Sequence, residues 1–371
     1  MKKSIRFTAL ALVSASLFLA CGKNSEPVNK EEQKPEEETQ QPVTHPSFYY
    51  GADVSWASEM EHDGKTFKNA SGTTQDIFVI LKGLGQNITR LRVWVDPSRG
   101  GWCGYDDVLA KAKRAKAAGL EIMIDFHYSD FFADPGRQDT PAAWQSLNHA
   151  NLVTRVNDYT KEVLTGLKQQ GITPSYVQVG NETRVGMLWP DGKIANTGIV
   201  SNYSNYAELS NAGYDAVKAI FPEAKVIVHL NNAYQDLEWW FSNFTNAGGK
   251  MDVIGLSHYP QGISGKTWQQ ANDGAIDNIN NLINKFNKDV FVVETGIKND
   301  NLSEGVTILT DFITKIRQIS RCKGILYWEP EVYGWWKPAI YTTLGWNAYD
   351  MGVFNSDGSP SDVVKLFKPA Q

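Results

Sequence analysis

The 371-residue chain is poor in cysteine, with only Cys21, Cys103 and Cys322. That excludes a small fold held by disulfides. Cys103 and Cys322 could pair, and their separation in the folded chain decides it. Neither a CxxC nor an HExxH pattern occurs, and no zinc-site spacing is present. There is no basic stripe, and the net charge is −5, which argues against a nucleic-acid partner. No glycine-rich phosphate loop follows the first strand-like segment, so a dinucleotide-binding sheet is disfavoured. No cofactor is implied. Long apolar runs are missing except near residues 7–20, too short a stretch for a stable membrane span.

What is present divides the chain into three parts. Residues 1–20 have a positive start (Lys2, Lys3, Arg6) and then an apolar run ending at Ala20-Cys21-Gly22. A small residue directly before a cysteine resembles a bacterial lipoprotein cleavage site, with Phe18 departing from the usual leucine. A signal peptide over 1–20 and an acylated Cys21 are therefore expected. The protein would then be exported and held at the cell surface or outer membrane by its lipid. Residues 21–47 carry Glu31, Glu32, Glu36, Glu37 and Glu38, several prolines and almost nothing apolar, which predicts an unfolded acidic tether. The folded domain is expected over 48–371.

In that domain, short apolar runs alternate with helical patterns. Strands are predicted at 49–54, 88–95, 121–128, 176–182, 225–230, 253–258, 290–294 and 324–329. Helices are predicted at 75–85, 105–119, 152–169, 203–221, 275–286 and 303–319, with Asp106 as a cap for the second and a last helical turn at 362–367. Eight strands separated by helices over this length fit a single (β/α)8 TIM barrel. The carboxyl ends of its strands share one rim, and that rim would gather Asp53, Arg90, Arg92, Trp94, Asp125, His127, Asn181, Glu182, Asn231, His258, Tyr259, Glu294 and Trp328.

Two of these residues repeat one theme. YVQVGNE (176–182) and VFVVETG (290–296) each run an apolar strand into a glutamate. Strict alternation puts Gln178, Gly180 and Glu182 on one face, with the glycine leaving space below the carboxylate. A glutamate ending such a strand serves neither strand nor core, which suggests a site. Strands four and seven lie three apart in an eight-membered ring, so the two carboxyls can face each other. Glycosidic bond cleavage needs such a pair, one carboxyl protonated and one ionised. A separation of about 5 Å would fit a retaining mechanism, and about 6.5 to 9.5 Å an inverting one. An arginine from 90 or 92 beside Glu294 would keep that carboxylate ionised, the other forming a structural ion pair. The 12 Trp exceed what core filling requires, and indoles stack well on sugar faces. Trp328 could floor a sugar subsite, and Trp94, Trp189, Trp335, Trp336 and Trp346 lie on or near rim loops.

Several segments resemble one known family. GADVSW at 51, TRLRVWVDP at 89, AKRAKAAG at 112, IDFHYSDFFADPG at 124, VGNE at 179 with LWPDGK at 188, VETG at 293 and GILYWEPE at 324 look like glycoside hydrolase family 53 of clan A, the endo-β-1,4-galactanases. The resemblance spans roughly 48–367. It implies a retaining endo-hydrolase of β-1,4-galactan, with Glu182 as acid/base and Glu294 as nucleophile. It also implies substrate contacts from Asp53, Arg90, His127, Asp130, Asp134, Asn181 and Trp328. His258, Tyr259 and Trp346 join these as rim candidates. Some bacterial members carry calcium in loops after strands seven and eight, but here residues 295–303 are short and hold no carboxylate-dense loop, so no metal is expected. Residues 331–355 look least like the family. A monomer is expected. Another clan A glycanase (mannanase, xylanase or glucanase) and a non-catalytic glycan-binding lipoprotein are the alternative readings.

Overall fold

The computed structural model describes residues 45–98, 100–194 and 203–369. The expected signal, the lipidated Cys21 and nearly all of the tether lie outside them. The described residues, apart from His45, belong to the compact unit Pro46–Gln371.

Eight parallel strands close into a barrel: β1 Tyr49–Asp53, β2 Ile88–Val93, β3 Glu121–Phe126, β4 Tyr176–Val179, β5 Lys225–Leu230, β6 Val253–His258, β7 Asp289–Thr295 and β8 Cys322–Trp328. Each strand pairs with its sequence neighbours, and β8 closes the ring on β1 through Gly51↔Leu326 and Asp53↔Trp328. The helices α1 Ala57–His62, α2 Ile77–Gly83, α3 Tyr105–Ala117, α4 His149–Gln169, α5 Ser204–Ile220, α6 Glu238–Asn246, α7 Trp268–Phe286 and α8 Leu302–Ile316 lie between successive strands. A short helix, α9 Ala339–Leu344, sits in the loop after β8.

The inside of the barrel has two layers of opposite character. Its lower layer is an apolar plug with at least one residue from every strand: Tyr49, Ile88, Met123, Tyr176, Ile227, Val253, Phe291 with Val293, and Leu326. The rings of Tyr49, Tyr176 and Phe291 meet at centroid distances of 5.2–5.9 Å. Two residues further along β2 to β5, and four along β1, the inward positions become polar: Arg90, Asp125, Gln178, His229 and Asp53. The plug seals the bottom, so chemistry is possible only at the upper rim. Gly51 belongs to the packing as well, because a Cβ there would stand 2.1 Å from the Ile88 carbonyl oxygen.

Several expectations need correction. β4 stops at Val179, not at 182, because Gly180 (φ 88°) and Glu182 (φ 46°) both take left-handed backbone. Glu182 therefore leaves the strand by a turn and not by alternation. Gly180 does not clear space beneath the carboxylate: a Cβ there would meet Thr183 and Met187. Asp106 does not cap α3, whose preceding residue is Gly104 with no side-chain cap; Asp107 accepts from the Cys103 amide instead. α7 begins at Trp268, seven residues before the expected 275, because Thr267 and Gln270 form a reciprocal capping box. The helices α1, α6 and α9 were not anticipated.

Truncating the plug should be costly, since its rings have no room to collapse. Phe291→Ala is expected to lower stability by about 3–5 kcal/mol, read from the denaturant midpoint at unchanged m-value.

Candidate active site

The site is organised around the guanidinium of Arg90, which is fully buried in the middle of β2. Its Nη1 lies 2.9 Å from Asp53 Oδ2 and 2.8 Å from Glu294 Oε1. Its Nη2 lies 2.8 Å from Asp125 Oδ2 and donates to Asn181 Oδ1 at 2.8 Å. One cation thus holds carboxylates from β1, β3 and β7 and the amide beside Glu182. The carboxylates keep the guanidinium charged despite the desolvation that opposes it. Burial penalises the Asp125 charge, but Arg90 and then His127 more than offset this and hold the carboxyl below its ordinary range. Arg92 has the other role expected of the pair: it is bound to Glu329 at 2.8 Å and lies over the rings of Trp94 and Phe132.

Glu294 reaches the mouth through an irregularity. Leu256 pairs with Val292, but the next β6 residue, Ser257, pairs with Glu294, so β7 holds one extra residue. Such a bulge re-aims a side chain. Here it lets Val293 belong to the plug while its neighbour Glu294 contacts Arg90. The second oxygen, Oε2, accepts from Tyr259 Oη at 3.0 Å and Ser257 Oγ at 3.4 Å. Burial pushes the Glu294 carboxyl up, with Arg90 as the main opposing influence.

Glu182 is partly exposed and has no ion-pair partner among the described residues. Burial and then the Glu294 charge push its carboxyl up to about 8, with a hydrogen bond from Ser257 opposing them. Ser257 thus bears on both glutamates, with its Oγ 3.4 Å from Glu294 Oε2. The arrangement assigns protonation by geometry. Glu294, against a guanidinium and two hydroxyl donors, carries the charge; Glu182, without a cation, carries the proton.

The other candidates separate clearly. Asn181 is buried, with Oδ1 on Arg90 and Nδ2 donating to the Ala133 carbonyl at 2.8 Å. His127 accepts from the Ala133 amide on Nδ1 and meets Asp125 through Nε2 at 3.0 Å, so both ring nitrogens are occupied by protein. Burial keeps it neutral by lowering its affinity for a second proton. Asp130 uses both oxygens on backbone amides, from Asp96 and Ala142, and joins two loops. Asp134 is half-buried, close enough to Glu182 to raise it, and accepts from the Gly136 amide. Trp328 is half-buried against Trp56 and Tyr349 at 5.4 and 5.2 Å. Trp346 is 41% exposed and lies 6.4 Å from Phe132, which also touches Trp328.

His258 is a correction. Its Nε2 lies 2.8 Å from Asn272 on α7 and its ring packs on Phe312 of α8 at 4.3 Å, so it faces the helices and not the mouth. The pleat explains this: Ser257 and Tyr259 point inward, so the residue between them points outward. Ser257 and His229 were missed. The strand alternation of 225–230 signalled an inward His229, and the parity of Tyr259 signalled Ser257. Cys103 and Cys322 are both free and buried. Among the described residues no group of three or more His, Cys, Asp or Glu is arranged to hold a metal ion.

A closed parallel barrel with one cation-bound and one protonated carboxyl at its rim has the site of a glycoside-cleaving enzyme. The family model described as Glycosyl hydrolase family 53 matches residues 49–367, and the chain belongs to that family. An arabinogalactan endo-β-1,4-galactanase of Thermothelomyces thermophilus is 34% identical over 345 residues, covering 86% of this chain and 98% of that one. One from Cellvibrio japonicus is 31% identical, covering 76% and 80%. A solved structure from a study of two fungal β-1,4-galactanases superposes with a TM-score of 0.74 at 32% identity, covering 86% of this chain and 98% of its own.

Beyond the catalytic pair lies a second pair of buried acids, Glu329 and Glu331, at the exit of β8. Burial pushes Glu329 up to about 7 against the pull of Arg92, and burial and then Glu329 push Glu331 well above the carboxylate range. A carboxyl raised by folding keeps its proton where the unfolded chain has lost it, so stability falls as pH rises above the unfolded value of about 4.3. Glu331→Gln removes one such group. Its melting temperature should exceed that of the parent at pH 8 and by a smaller margin at pH 5.

Proposed function

We propose that the chain is an endo-acting, retaining arabinogalactan β-1,4-galactanase. The observation that carries this is the Arg90-bound Glu294 opposite a proton-holding Glu182, in a chain of family 53. In the first step Glu294 attacks the anomeric carbon while Glu182 gives its proton to the departing glycosidic oxygen. In the second, Glu182 takes a proton from water as that water displaces Glu294 from the sugar. Arg90 holds the nucleophile ionised before attack, and Asn181, one hydrogen of whose Nδ2 has no partner among the described residues, faces the position of a sugar hydroxyl beside the acid. Trp328, Trp346 and the 92% exposed Trp335 provide indole surface for stacking on galactose faces. Export and lipid anchoring through Cys21 complete the proposal: a surface enzyme would meet polymers too large to enter the cell.

Linear β-1,4-galactan is the test substrate. Reducing ends should appear from it, and not from xylan, mannan or cellulose, with intermediate oligomers early in the time course. Glu182→Ala and Glu294→Ala should each lose several orders of magnitude in kcat while galactan still binds. Near-normal turnover in either variant would reject the mechanism. Because Glu182 must carry a proton, kcat/KM should fall as pH rises through about 8. Because Glu294 must be ionised and burial raises it, the acidic limb should lie above the ordinary glutamate range.

A further inference from the structure

Beneath the two catalytic glutamates lies a histidine that the mechanism above does not use. We infer that His229 is a positioning residue: by donating to the Ser257 oxygen it leaves that hydroxyl's own hydrogen to Glu294, the nucleophile. The inference rests on the hydrolase reading of the site.

His229 is fully buried near the upper end of β5. Its Nδ1 lies 3.3 Å from the backbone N–H of Glu182, 3.0 Å from Gln178 Nε2 and 3.0 Å from Asn181 Oδ1. Its Nε2 lies 2.8 Å from Ser257 Oγ. The Glu182 amide cannot rotate or exchange its proton for a lone pair, and His229 Nδ1 is its hydrogen-bond partner. That partner must be a bare, accepting nitrogen. Asn181 Oδ1 is no obstacle, because it accepts from Arg90 at 2.8 Å and from Gln178 at 3.2 Å. With Nδ1 bare, the neutral ring carries its proton on Nε2, and that proton is donated to Ser257 Oγ. Charged and titratable groups that bear on the ring are Arg90 on β2, Asp125 on β3 and His127 just beyond it. Burial first, then Arg90, keep the imidazole neutral.

A serine oxygen that accepts from the histidine keeps its own hydrogen for another acceptor. Glu294 Oε2 lies 3.4 Å from it and accepts that hydrogen, beside the bond it accepts from Tyr259 Oη at 3.0 Å. In the free enzyme the charge is on Glu294, so the hydroxyl supports the ionised nucleophile, and no proton leaves the serine or the histidine. The backbone amide of the acid thereby sets the direction of a donor to the nucleophile.

The test is Ser257→Ala in the full chain, with thermal unfolding to confirm folding. On linear galactan, kcat should fall about tenfold with KM within twofold, and the acidic limb of the pH–rate profile should move up by about one unit, since Glu294 loses a hydrogen bond that favours its charged form. Ser257→Thr, which keeps a hydroxyl, should restore both. The ¹⁵N spectrum of labelled protein should show His229 protonated on Nε2 alone. An unchanged kcat and acidic limb in folded Ser257→Ala would overturn the inference, as would a His229 protonated on Nδ1. Failure of the parent enzyme to cut galactan would instead reject the hydrolase reading.

Discussion

The site depends on one buried cation. Arg90 is removed from water entirely, which is tolerable only because three carboxylates and an amide surround it. These partners come from β1, β3, β7 and the turn after β4, so the barrel must close before the charge is compensated. The geometry of Glu294 is therefore a result of overall closure and not of its own strand alone. The apolar plug below supports this: with Tyr49, Tyr176 and Phe291 filling the bottom, the polar layer has a floor and cannot sink.

A second constraint sits at the strand exits. Tyr128 after β3, Glu182 after β4, Asn232 after β5 and Glu329 after β8 all have positive φ without being glycine. Each costs on the order of 1–3 kcal/mol and is held by its surroundings. At Glu182 the result is visible: the left-handed turn points its amide at His229 and its side chain at the mouth. Strain at this place sets the direction of the acid.

Much of this was legible in the sequence, for identifiable reasons. Parallel barrel strands are buried on both faces and read as short apolar runs, so all eight were found within a few residues. The functional glutamates were legible because each ends such a run, where neither strand propensity nor burial would put a carboxylate. What was not legible depended on backbone irregularity. The extra residue in β7 and the left-handed turn at Glu182 leave no mark in a pattern of alternating polarity. His258 was misplaced for a simpler reason, that a rim was assigned to adjacent residues 258 and 259, which a pleat sends to opposite sides. Asp130 looked like a substrate contact through its motif, yet both of its oxygens are used by backbone amides. His229 was passed over within an apolar strand, because its partners lie on β4, the turn after it and β6.

The two thiols have a practical meaning. Cys103 follows β2 at the upper end of the barrel, while Cys322 opens β8 at the lower end, and both are buried and unlinked. The folded domain therefore draws no cohesion from oxidation. Its assembly should proceed equally well in the reducing interior of a host cell and in an oxidising envelope, so the catalytic domain can be produced without a secretion route.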